Sequence, residues 1–139
     1  LFVTKVTVNV DGLGRSPAQR MAQYRRSPAE RMGDILTRLL AVSPDVVLLQ
    51  EVTVEMYAVV LHRLAGWAVY RRREVTEDYF IVSAVRLASE SAQDRTTSYA
   101  FDSTDNGRHY VTVRRRGWTI VNVHAELVPR VVSWNFQCI

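Results

Sequence analysis

The sequence is 139 residues long and 47% apolar, which suits one modest domain with its own core and excludes a disordered chain. Its 18 lysines and arginines outnumber 14 aspartates and glutamates, a formal net charge of +4 that favours polyanionic partners without naming one. A single cysteine, Cys138, excludes an internal disulfide framework and a Cys/His zinc site, and no apolar stretch approaches the ~18 residues of a membrane span.

Cysteine usage of this kind fits a reducing compartment. The opening, Leu1-Phe2-Val3-Thr4-Lys5, has neither a signal-peptide layout nor an initiator Met, so we expect a chain trimmed at its front as well as short at its back. Phe2 to Val10 reads as a strand, because Val6, Val8 and Val10 alternate with Lys5, Thr7 and Asn9. Asp11-Gly12-Leu13-Gly14 breaks it with turn residues. A short internal echo follows: Arg15-Ser16-Pro17-Ala18-Gln19-Arg20-Met21 returns as Arg26-Ser27-Pro28-Ala29-Glu30-Arg31-Met32. Each copy has a serine N-cap, proline at the first helical position and Gln or Glu three residues after the cap, a helix-start signature.

The second copy opens a helix to about Val42, with Met32, Ile35, Leu36, Leu39 and Leu40 on one face. Ser43-Pro44 stops it, since the residue before proline is pushed out of the helical region. Asp45 to Gln50 is a nearly continuous apolar strand, the kind buried on both faces. A second helix is expected from Val54 to Ala65, with Met56, Val59, Val60 and Leu64 inward and Gly66 as its stop. From Trp67 the texture turns to strands: Trp67 to Arg71, Tyr79 to Leu87, His109 to Arg116 and Trp118 to His124, with Gly117 as a hairpin turn. Residues 88–106 read as polar loop with a short strand around Tyr99, and 131–139 as one more strand. Helix–strand alternation followed by a strand-rich half implies a mixed α/β (α+β) layered domain.

Three polar residues stand at the ends of these strands: Asn9, Glu51 directly after the apolar strand, and His124. Three such groups would converge on one edge of a sheet, and ligand sites of layered α/β proteins often form on such rims. Each also has a plain structural reading: Asn9 as a turn cap, Glu51 as a solvated carboxylate after a strand, His124 as a half-buried imidazole bonded to a carbonyl. Arg71-Arg72-Arg73 and Arg114-Arg115-Arg116 offer charge for phosphate contacts, although strand ends and exposed faces explain them more simply.

Together the motifs resemble the endonuclease/exonuclease/phosphatase superfamily, in particular its tyrosyl-DNA phosphodiesterase 2 branch. The resemblance rests on Thr7-Val8-Asn9 followed by Asp11-Gly12-Leu13, on Pro44-Asp45-Val46-Val47-Leu48-Leu49-Gln50-Glu51-Val52, on Asp78-Tyr79-Phe80-Ile81-Val82, on Gly107-Arg108 and on His124-Ala125-Glu126-Leu127. It covers residues 5–126 of a single 1–139 domain and leaves 127–139 unassigned. It implies half of a four-layer αββα sandwich of the DNase-I-like type, and a magnesium-dependent phosphodiesterase that uses water to cleave a bond such as the 5′-phosphotyrosyl–DNA linkage. Manganese would be an acceptable substitute for magnesium.

On the same footing Glu51 and Asn9 are the implied metal-site residues, and Asn9, Glu51 and His124 the catalytic ones. Arg108, His124 and Glu126 are the implied phosphate and substrate contacts. The implied partner is DNA with a 5′ adduct, in a DNA-repair setting inside the cell: nuclear in a eukaryote, cytoplasmic otherwise. No membrane association is expected.

Departures bound this expectation. Gly-Asp-x-Asn and Ser-Asp-His, which the family uses later in its chain, do not occur in the 139 residues. Trp is replaced by Val8 before Asn9, and Leu127 stands where the family has Ser. We therefore expect an incomplete catalytic domain, weakly active or inactive alone, that self-associates through uncovered sheet surface such as Val121 and Val123. Two alternatives stay open: another DNase-I-like nuclease or phosphatase, and a non-catalytic nucleic-acid-binding remnant.

Overall fold

The computed structural model describes residues 4–10, 26–71, 79–86, 95–100, 109–115 and 118–124. Within them, strand β1 (Lys5–Asn9) is followed by helix α1 (Pro28–Leu40), β2 (Val46–Val52), α2 (Val54–Arg63), β3 (Trp67–Arg71), β4 (Phe80–Arg86), β5 (Arg95–Ala100), β6 (His109–Arg115) and β7 (Trp118–Val123). Two sheets form, one in the order β1-β2-β4-β3 and one in the order β5-β6-β7.

Helix α1 starts where the sequence signature places it. Ser27 is the N-cap, its hydroxyl accepting from the Glu30 amide at 3.2 Å while the Glu30 carboxylate accepts from the Ser27 amide at 2.8 Å. The helix ends at Leu40, two residues before the expected Val42, because the Ser43 amide returns to the Leu40 carbonyl and Ser43 takes a left-handed φ of 48° ahead of Pro44. Helix α2 likewise ends at Arg63 and not Ala65; the chain turns through Gly66, whose φ of 87° suits glycine. Strand β5 is longer than the short strand expected around Tyr99. The first copy of the echo, the turns at 11–14 and 116–117 and the tail 125–139 lie outside the described residues.

Three layers result. Both helices lie on one face of the four-stranded sheet, where Met32 and Leu36 of α1 and Met56 and Val60 of α2 are buried against Val47, Leu49, Val52, Val82 and Ala84. The other face packs on the three-stranded sheet through Val46, Leu48, Ile81, Val85, Val111 and Val113. A strand sandwiched in this way must be apolar on both faces, which is why β2 reads as a continuous run. The architecture is mixed α+β, and its two packed sheets with helices on one outer face are what half of an αββα sandwich contains. Val121 and Val123 remain 49% and 43% exposed, as expected for uncovered sheet surface, but on the far face of the second sheet, the inner face being packed.

Candidate active site

Strands β1 and β2 run parallel, with Asn9 beside Gln50, and the ladder continues through a bond from the Val10 amide to the Gln50 carbonyl at 3.0 Å. Strand β2 alternates regularly up to Leu49: Val46 and Leu48 face the second sheet, Val47 and Leu49 the helices. Its pairing with β4 then shifts register, from Leu49 opposite Val82 to Val52 opposite Phe80. Leu49 and Val52 both belong to the helix-side core, so two residues rather than one lie between them. This is a β-bulge.

The bulge carries Glu51, whose φ is 59°. A left-handed backbone costs a residue with a Cβ about 1–2 kcal/mol. The gain is direction. In a regular strand Glu51 would follow Leu49 towards the helices; here its carboxylate meets Asn9, whose Nδ2 donates to Oε1 at 2.9 Å. His124, one residue beyond β7, brings its Nε2 to 3.3 Å from the same oxygen. The Glu51 and His124 side chains are 21% and 14% exposed, sheltered yet reachable from solvent. Among the described residues, Oε2 of Glu51 accepts no hydrogen bond.

Asn9, Glu51 and His124 are thus brought to one place, while Arg108 and Glu126 lie outside the described residues. Two details differ from the sequence expectation. Glu51 is not the solvated residue after a strand but the sixth residue of β2. The convergence is also not at one sheet edge: Asn9 and Glu51 come from the first sheet and His124 from the second.

Tyr79, Gln50, Thr7 and Asn122 were not singled out for this site from sequence. Tyr79 sets its ring against the His124 imidazole, centroids 5.9 Å apart. Gln50 donates through Nε2 to Thr7 Oγ1 at 3.2 Å and to Asn122 Oδ1 at 2.7 Å, so the two amides bridge the sheets. A polar residue inside Val121-Asn122-Val123 was the available signal for this bridge. Arg71, first of an arginine run, lies over the rings of Tyr57 and Phe80 at 5.1 and 5.5 Å, a packed arrangement at a strand end. Arg114 is exposed, and Arg72, Arg73 and Arg116 lie outside the described residues.

Comparison with solved structures gives this arrangement a context. A structure from Caenorhabditis elegans, tyrosyl-DNA phosphodiesterase 2, matches with a TM-score of 0.72 and 20% identity over 91% of this chain and 36% of that one. A truncated form of the same enzyme matches at 0.68 and 20%, over 91% and 47%. The D. rerio enzyme, complexed with a single-strand DNA product, matches at 0.61 and 20%, over 86% and 43%. The chain has the fold of one part of tyrosyl-DNA phosphodiesterase 2. That fold is DNase-I-like, and the chain spans less than half the length of each of these three structures. No protein-family model and no curated protein matches it. Among the described residues, no group of three or more His, Cys, Asp and Glu side chains is arranged to hold a metal ion, and no helix is long and apolar enough to cross a membrane.

Proposed function

We propose that Asn9, Glu51 and His124 form part of the active site of a metal-dependent phosphodiesterase, which hydrolyses a bond such as the 5′-phosphotyrosyl–DNA linkage by attack of water. The observation that carries this reading is the Glu51 carboxylate. It is turned out of its strand by a strained bulge and gripped on one oxygen by Asn9 and His124. Backbone strain of this kind is concentrated at functional sites.

The donor set fits magnesium or manganese. Magnesium keeps several of its waters and needs only one or two carboxylates beside substrate phosphates, so a single charged ligand is compatible with it. Such an ion, when bound, supplies Lewis-acid stabilisation of charge at phosphorus and activates water. Glu51 offers Oε2, while Asn9 fixes the rotation of the carboxylate through Oε1. The Asn9 amide oxygen is a second, neutral donor. His124, with Arg108, would hold non-bridging phosphate oxygens, and Glu126 would contact substrate. These roles rest on the resemblance at Gly107-Arg108 and His124-Ala125-Glu126. Tyrosine is a fair leaving group for such a reaction, its reference pKa of about 10 lying well below that of an alkyl alcohol.

DNA bearing a 5′ adduct, in a DNA-repair setting, is the substrate class we favour. The fold likeness to an enzyme complexed with single-strand DNA product supports it, as does the net charge of +4. The test is calorimetric titration of the chain with magnesium and with manganese, beside Glu51→Gln. Weak binding that Glu51→Gln weakens further is expected, and identical heats for the two proteins would remove Glu51 as ligand. DNA binding that is unaffected by either ion would favour a non-catalytic nucleic-acid-binding role.

A further inference from the structure

Asn122 is a polar residue buried between the two sheets, 1% exposed. Its Nδ2 donates to the Val82 carbonyl at 2.9 Å and also reaches Ser83 Oγ at 3.3 Å and the Leu49 carbonyl at 3.4 Å. Its Oδ1 accepts from Gln50, which in turn donates to Thr7. One side chain of β7 is therefore bonded to β2 and β4, and through Gln50 to β1.

The core between the sheets, formed by Val46, Leu48, Ile81, Val85, Val111 and Val113, is apolar and non-directional. Valine and isoleucine faces do not by themselves fix how far β7 lies along β2. Hydrogen bonds do, since a buried amide that loses its partners carries the uncompensated cost of its own desolvation. The placement along the chain is the key point. Gln50 precedes Glu51, and Asn122 lies two residues before His124. Sliding β7 by one residue would move His124 by about 3.3 Å and turn Asn122 to the opposite face. The His124–Glu51 contact is itself only 3.3 Å long, so it would not survive the slip.

We infer that Asn122 and Gln50 are positioning residues, whose amide–amide bridge sets the register between the sheets and thereby holds His124 on Glu51. This rests on the reading of the rim as a site, but its test reads the contact itself and needs neither metal nor turnover. The experiment is NMR of the imidazole signals of the full chain, with His124 assigned among the three histidines by a His124→Gln variant.

In the unmodified background, Glu51→Gln is expected to shift the His124 signals. In Asn122→Leu or Gln50→Leu that response should fall by more than half, while cross-strand contacts between Tyr110 and Val123 report that β6 and β7 remain paired. Gln50→Leu is the gentler change, because Gln50 is only half-buried, and it decides the matter if Asn122→Leu does not fold. The exchange Gln50→Asn with Asn122→Gln keeps an amide pair of the same total length and should restore the response. A response of full size in Gln50→Leu, or no rescue by the exchange, overturns the positioning role. No response to Glu51→Gln in the unmodified background overturns the His124–Glu51 pair, and the positioning role with it.

Discussion

At the scale of single residues, Glu51 is where backbone and chemistry meet. Its left-handed φ gives a prediction whose sign is decisive. Glycine in an ordinary strand is about 0.5–1 kcal/mol less favourable than alanine. At a left-handed position the order reverses, because only glycine escapes the Cβ clash of about 1–2 kcal/mol. Glu51→Gly and Glu51→Ala both delete the carboxylate, so their difference isolates the backbone. Chemical denaturation should show Glu51→Gly more stable than Glu51→Ala by about 1 kcal/mol. Alanine as the more stable of the two would mean that the bulge is unstrained. Asn9, Glu51 and His124, the three residues that meet in the structure, were legible as candidates in the sequence because each stands at or near a strand end, in Val8-Asn9-Val10, Gln50-Glu51-Val52 and Val123-His124. That Asn9 and Glu51 share one rim was expected and is what the structure has. The route of His124 was not legible, since nothing in a linear pattern says that β7 reaches across from the second sheet to place His124 on Glu51.

At the scale of elements, the helices and the strands β1, β2, β3, β4, β6 and β7 fell within a few residues of expectation, because their apolar periodicities are strong and their stops are chemical. The bulge in β2 was harder to read. Two polar residues in succession, Gln50-Glu51, between the apolar Leu49 and Val52 are the pattern that a bulge makes, but a strand end writes the same letters. Only the partner strand distinguishes them, through the shift from Leu49–Val82 to Val52–Phe80. Helix α1 supplies a test of how far local signals carry. Its capping box satisfies two amides that no intrahelical carbonyl can reach. Ser27→Ala should cost about 1 kcal/mol by thermal or chemical unfolding, with Ser27→Asp largely retaining stability. Unchanged stability in Ser27→Ala would show that packing of Met32 and Leu36 alone sets the start of α1.

At the scale of the whole molecule, strand β7 presents Val121 and Val123, about half exposed, on the side of the second sheet away from the first. Burying the rest of each valine is worth about 1 kcal/mol, so a contact between two copies that used both residues would gain several such increments. We predict concentration-dependent self-association by sedimentation. Val121→Thr with Val123→Thr keeps β-branching and should weaken it by at least about tenfold. The reading proposed for Asn9, Glu51 and His124 bears on turnover, because Gly-Asp-x-Asn and Ser-Asp-His, which the resemblance implies for the family, do not occur in the 139 residues, and members of a catalytic unit act jointly. The chain alone should leave a 5′-tyrosyl oligonucleotide uncleaved, with magnesium or with manganese. A separately prepared segment bearing both patterns should restore cleavage, and should do so less well with Val121→Thr and Val123→Thr if it docks on that face. Cleavage by the monomeric chain alone would place the missing functions among residues 1–139 and overturn the view of a shared active site.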